Sequence, residues 1–176
     1  EAINLGLKGM LQSGDHVITT SMEHNSVLRP LHNLCKSGVE HSIVQADKKG
    51  QINCKDIADA IKSNTKLIVV TAASNITGTK MPLKDIGNLA RQKGVLFMVD
   101  GAQGAGSMDL DVERLNIDML AVPGHKGLLG PLGTGALYVK EGLNLKPILE
   151  GGTGTESKKR NQPFDFPEGF EAPAGR

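Results

Sequence analysis

The chain has 176 residues, enough for one sizeable core, and 20 Lys and Arg against 19 Asp and Glu leave a formal net charge of +1. That balance excludes a global pull toward nucleic acid or an acidic membrane surface, and no apolar run approaches the ~20 residues that cross a bilayer. Two cysteines, Cys35 and Cys54, make neither a disulfide framework nor a paired zinc motif, and point to a reducing, cytoplasmic setting with no metal site.

The opening residues, EAINLGLKGMLQSGD, carry no initiator Met and no signal-peptide pattern, and are already in helical periodicity. Ile3, Leu7, Met10 and Leu11 share one face, and the chain reads as a piece with more before Glu1. Residues 16–21 (HVITTS) form a short β-rich run. Residues 25–38 predict a helix that holds Pro30 near its first turns and stops at Gly38. HSIVQAD (41–47) is strand-like. Asn53 is a fair N-cap for a helix over 53–64, with Asp56 in the first turn. KLIVVTAAS (66–74) is a continuous apolar strand, and 81–94 is a helix with Pro82 at its start and Gly94 after its end. VLFMVDGA (95–102) is a further apolar strand, 111–116 a short helical turn, and 118–125 and 134–140 the last strands.

Strands thus alternate with helices, and the central ones are apolar throughout instead of alternating. This predicts a three-layer α/β/α fold around a mostly parallel sheet. Residues 1–150 form its core. From Gly151 the text turns rich in Gly, Pro and charge, and 151–176 reads as a loop or tail leading toward an absent carboxy-terminal domain. No internal repeat is visible.

In open parallel α/β sheets ligands sit at the carboxyl ends of the strands. Those ends carry Glu23 and His24, then Ser74 and Asn75, then Asp100 and Gln103, then His125 and Lys126. Each has a plainer reading. Asp100 serves equally well as a cap on the turn after its strand. Asn75 fits an ordinary turn, and a lone histidine is more often a satisfied surface or core residue. Lys126, directly after an apolar run and flanked by Gly124 and Gly127, must either snorkel out or be used. As a set the residues suit pyridoxal 5'-phosphate. That cofactor needs an amine for a Schiff base, a carboxylate at its pyridine nitrogen, donors to its phenolate oxygen and a flat group over its ring. Lys126, Asp100, Gln103 with Asn75, and His24 supply these four. The glycines would let a flat ligand approach the backbone.

MEHNSV, SNITGT, VDGAQ and PGHKGLLGPLGTGALYV, in that order and spacing, resemble the class V aminotransferase family of fold-type I pyridoxal-phosphate enzymes. Within it they are most similar to the cysteine desulfurases and selenocysteine lyases. The resemblance runs from Glu1 to about Ser157. It implies that Lys126 is the Schiff-base lysine, Asp100 the partner of the pyridine nitrogen, and Gln103 and Asn75 the contacts to the phenolate oxygen. It implies that His24 stacks on the ring and moves protons, that His125 contacts the phosphate, and that Thr153 or Thr155 in EGGTGTES reaches a neighbouring subunit's site in a homodimer. Sulfur or selenium would leave a small amino-acid substrate for a cysteine, and from there for a sulfur-acceptor protein. Pro123 stands where the family usually has Ser or Thr, so one phosphate ligand differs. The family's Thr-rich phosphate turn and its carboxy-terminal domain, with the sulfur-accepting cysteine, fall outside this chain. Cys35 reads as structural. Cys54 follows an N-cap, where a helix dipole lowers a thiol's pKa, and also reads as structural.

Three other readings stay open. One is a class V aminotransferase acting on a small amino acid. Another is a nicotinamide-dependent oxidoreductase, but Gly101, Gly104 and Gly106 give G-x-x-G-x-G, the reverse of the dinucleotide fingerprint. The last is a non-catalytic α/β interaction module.

Overall fold

The structure is a computed structural model that describes residues 1–151. The expected tail, apart from Gly151, and with it Thr153 and Thr155, lies outside the described residues. The elements are α1 (Ala2–Met10), β1 (His16–Thr20), α2 (Asn25–Cys35), β2 (Glu40–Val44), α3 (Cys54–Asp59), β3 (Thr65–Thr71), α4 (Leu83–Lys93), β4 (Leu96–Asp100), β5 (Met119–Pro123) and β6 (Gly135–Val139).

The strands form a six-stranded sheet ordered β2-β1-β3-β4-β5-β6. All neighbouring pairs are parallel except β5 with β6, which is antiparallel. Because side chains alternate across a strand, the apolar runs feed two cores at once. Ile68, Val70, Phe97 and Val99 pack under α3 and α4 with Ile57, Ile86 and Ala90. Leu67, Val69, Met98 and Met119 pack under α1 and α2 with Leu7, Val27 and Leu31. The three-layer α/β/α architecture expected from the sequence is therefore present.

Two local readings change. The helix expected over 53–64 ends at Asp59, because Thr65 Oγ1 accepts from the Lys62 N–H at 2.7 Å and turns the chain into β3. Pro30 lies inside α2, not in its opening turn, and is buried. α4 follows its sequence signals closely, with Asp85 in its first turn, Arg91 and Lys93 in its last, and Gly94 beyond it at φ 65°. Among the described residues no helix is long and apolar enough to cross a membrane.

The order β2-β1-β3 decides where a ligand can sit. The chain leaves β1 toward β2 on one side and returns to β3 on the other, so the connections after β1 and β3 run in opposite directions. A crevice opens at the carboxyl edge over the ends of β3, β4 and β5, walled by α1 and β6.

Candidate active site

The crevice has a volume of about 770 Å³, and His24, Asn75, Asp100, Gln103, His125 and Lys126 all line it. Six residues spread over a hundred positions in sequence thus converge on one place, each set down by the end of a strand. Thr153, the remaining expected member, falls outside the described residues.

Asp100 is the last residue of β4, and it is 2% exposed. Its Oδ1 accepts from the Ala102 N–H at 2.9 Å, and its Oδ2 accepts from the Ser26 hydroxyl at 3.3 Å. The carboxylate is therefore held at both oxygens. The capping reading of Asp100 holds in part, since the Ala102 bond is a turn cap, but it leaves the placement in the crevice unexplained. Gln103 follows on the exposed side of the same turn.

His24 is the N-cap of α2. Its Nδ1 accepts from the Ser26 N–H at 3.1 Å, which satisfies one of the orphan donors of the first turn. In the neutral ring that acceptor role places the proton on Nε2, for which no partner exists among the described residues. Asn75 sits at the tip of a tight loop after β3. Ser74 N donates to Thr79 O at 3.0 Å, and Ser74 Oγ accepts from Ile76 N and Thr77 N at 3.2 and 3.3 Å.

Lys126 is exposed at the tip of a loop that Gly130 N closes on Gly124 O at 2.7 Å. The glycines around it answer to packing more than to ligand access. A Cβ at Gly127 would run into Ala105 O, and one at Gly124 into the Thr134 side chain. The lysine loop and the turn after Asp100 thus touch backbone to backbone, with Gly106 at φ 80° completing the contact. Gly127→Ala is expected to lower stability by about 1–3 kcal/mol, because neither backbone can step aside. It should also loosen the spacing of Lys126 from Asp100. Denaturant melts and binding of pyridoxal 5'-phosphate check this, and an unchanged midpoint with unchanged affinity would contradict it.

Two contributors were not read from the sequence, and Glu23 was read only as a strand-end residue without a role. The first residues of α1, from Glu1 to Leu5, line the crevice. Ser26 touches both Asp100 and His24, and only the i+2 spacing from a histidine N-cap hinted at it. Glu23 is buried behind the crevice. Its Oε1 accepts from Thr20 Oγ1 at 2.7 Å and from the Thr71 N–H at 2.9 Å, while the buried Oε2 has no partner. Burial pushes this carboxyl up to about 8; the bonds from Thr20 and Thr71 oppose the rise and the Asp100 charge adds to it. At neutral pH one carboxyl of the pair is kept neutral by its surroundings.

The cysteines lie away from the crevice lining. Cys35 Sγ is 3.0 Å from His41 Nδ1. Burial first, then the charge of Asp85, pushes the Cys54 thiol up, so the helix start does not make it a thiolate. No group of three His, Cys, Asp or Glu side chains is placed to hold a metal ion among the described residues.

The donor set fits pyridoxal 5'-phosphate. An amine stands at the rim, a doubly held carboxylate inside and an imidazole beside it.

Comparison with known proteins points the same way. The family model for aminotransferase class-V matches residues 1–174. The chain is 39% identical over 164 residues to cysteine desulfurase IscS of Clostridium botulinum, covering 91% of this chain and 41% of that protein. It is similar in structure to the apo cysteine desulfurase of Thermococcus onnurineus NA1, with a TM-score of 0.87 and 34% identity over 97% of this chain and 44% of that one. It is also similar to SspA solved in complex with cysteine, with a TM-score of 0.81 and 36% identity over 86% of this chain and 45% of that one. The chain therefore spans less than half the length of these relatives.

Proposed function

The chain belongs to the aminotransferase class-V family, and on that premise we propose that it is the cofactor-binding core of a pyridoxal 5'-phosphate enzyme that removes sulfur from cysteine. The observation that carries the reading is the convergence of Lys126, Asp100, Gln103, Asn75, His24 and His125 on one crevice at the switch in strand order. The desulfurase relatives and the cysteine in the SspA structure support cysteine over selenocysteine as the substrate.

Bound in the crevice, the cofactor would supply an electron sink for the substrate's α-carbon. Lys126 would hold it through its amine, and that amine is the base placed to take the substrate's α-proton. Asp100, buried and acceptor-only when ionised, keeps a proton on the pyridine nitrogen. Neutral Glu23 behind it adds no competing charge. His24 covers the ring with its Nε2–H available. Gln103 and Asn75 would donate to the cofactor's phenolate oxygen, and His125 would contact its phosphate. Pro123 provides no side-chain donor where the family resemblance expects Ser or Thr. The sulfur-accepting thiol is neither Cys35 nor Cys54 and comes from another part of the protein. The working unit is a cytoplasmic homodimer in which Thr153 serves the partner's site, with a sulfur-acceptor protein downstream.

The test uses the full-length protein, with the part that carries the sulfur-accepting thiol: incubation with pyridoxal 5'-phosphate, borohydride trapping and peptide mapping, and, on a separate untrapped sample, incubation with cysteine. The expected result is a single labelled peptide containing Lys126 and release of alanine matched by sulfane sulfur. Label scattered over surface lysines would sink the cofactor reading. A label on Lys126 with keto-acid and no sulfane sulfur would move the chain to the transaminases.

A further inference from the structure

Ser26 is the second residue of α2 and lines the crevice. Its hydroxyl stands 3.0 Å from His24 Nδ1 and donates to Asp100 Oδ2 at 3.3 Å. Its own backbone N–H donates to the same Nδ1 at 3.1 Å. One small side chain thus lies between the two residues that the cofactor reading uses most, and they come from strand ends 76 positions apart. From these contacts, which bear on function only if the cofactor reading holds, we infer that Ser26 is a positioning residue. Its hydroxyl joins the Asp100 carboxylate and the His24 imidazole into one hydrogen-bonded unit, anchored on the first turn of α2.

The chemistry of a hydroxyl makes the coupling specific. It has one proton to give and lone pairs to accept with. While His24 Nδ1 is unprotonated, that nitrogen takes the Ser26 N–H, and the hydroxyl proton can go either to it or to Asp100. If Nδ1 gains a proton, it becomes a donor and must give to Ser26 Oγ. The hydroxyl proton then goes to Asp100, and the Ser26 N–H loses its cap. A proton arriving on the imidazole is therefore felt at the carboxylate as a firmer hydrogen bond, and at the helix start as a lost one. The other groups around the carboxylate do not offer this path. Ala102 N–H is a fixed donor to Oδ1, and Glu23 is bonded to Thr20 and Thr71. Alanine at 26 keeps the backbone cap and removes the bridge, and threonine keeps both.

The measurement follows the Asp100 carboxyl carbon by 13C NMR, in cofactor-free protein, through the titration of the His24 ring. It is made on the parent, Ser26→Ala and Ser26→Thr. The expected result is that the carbon follows the ring in the parent and in S26T and stops following it in S26A. All three should retain their fold by far-ultraviolet circular dichroism. Affinity for pyridoxal 5'-phosphate should fall roughly five- to tenfold in S26A, the order of one typical hydrogen bond, and return in S26T. Coupling of equal size in S26A overturns the bridge. Lost coupling with unchanged cofactor affinity leaves the bridge standing and overturns the positioning role. A parent that shows the coupling and binds no pyridoxal 5'-phosphate refutes the cofactor reading instead, and the role in the site falls with it.

Discussion

Lys126→Ala is expected to abolish trapping of pyridoxal 5'-phosphate at the crevice and to lower cysteine turnover on the order of 10³-fold or more, the scale of loss when a covalent group is removed. The variant should fold as well as the parent. Lys126 is exposed, and its amine makes no hydrogen bond or ion pair among the described residues. Nothing in the core depends on it, and its loop is held by the Gly130–Gly124 bond and by the contact of Gly127 with Ala105. Equal denaturation midpoints with lost trapping separate a chemical role from a structural one. Retained trapping at a single site in K126A would mean that another lysine is the anchor. Arginine at 126 tests the same point from the other side. It keeps the charge near the phosphate but forms no imine, so cofactor should still be retained without being trapped.

Glu23 produces the second large effect, in stability. Its folded pKa of about 8 stands above the ordinary 4.5, so the folded state binds a proton that the unfolded chain releases. The contribution is fully present below pH 4.5 and is lost as pH rises through 8. At about 1.4 kcal/mol per pH unit the whole loss approaches 5 kcal/mol. Glu23→Gln keeps an oxygen for the Thr71 N–H and cannot ionise. Relative to the parent it should therefore gain stability steadily between pH 5 and 9 in urea melts. Parallel pH profiles for the two proteins would show that Glu23 is already ionised in the fold. The acid limb has a different origin. His16 is fully buried at the far end of β1 between Thr65 Oγ1 and Ser42 Oγ, at 2.8 and 2.9 Å, and burial pushes its pKa below 6.5. Stability from this group is present above pH 6.5 and declines as pH falls below it, so the fold is squeezed from both sides.

Much of the fold was legible because its signals are local. The apolar runs at 67–70 and 95–99 marked strands covered on both faces, and Pro82 and Gly94 bracketed α4. The site residues were legible because a parallel sheet puts every strand's carboxyl end on one edge. His24, Asn75, Asp100 and Lys126 could be gathered by position alone. The end of α3 at Asp59 was not legible, since a threonine hydroxyl six positions beyond it turns the chain there.

The sequence by itself determined the alternation of elements, the burial of the sheet on both faces, and which polar residues stand at strand ends. These depend on spacing along the chain, which folding does not alter. Only the tertiary structure decided the strand order that sets the ends of β3, β4 and β5 side by side under the crevice. It also decided that Gly127 makes room for Ala105, that Ser26 touches Asp100, and that Glu23 holds a proton. Each of these joins residues distant in sequence, or depends on how much water a group loses on burial, and neither is written in local pattern.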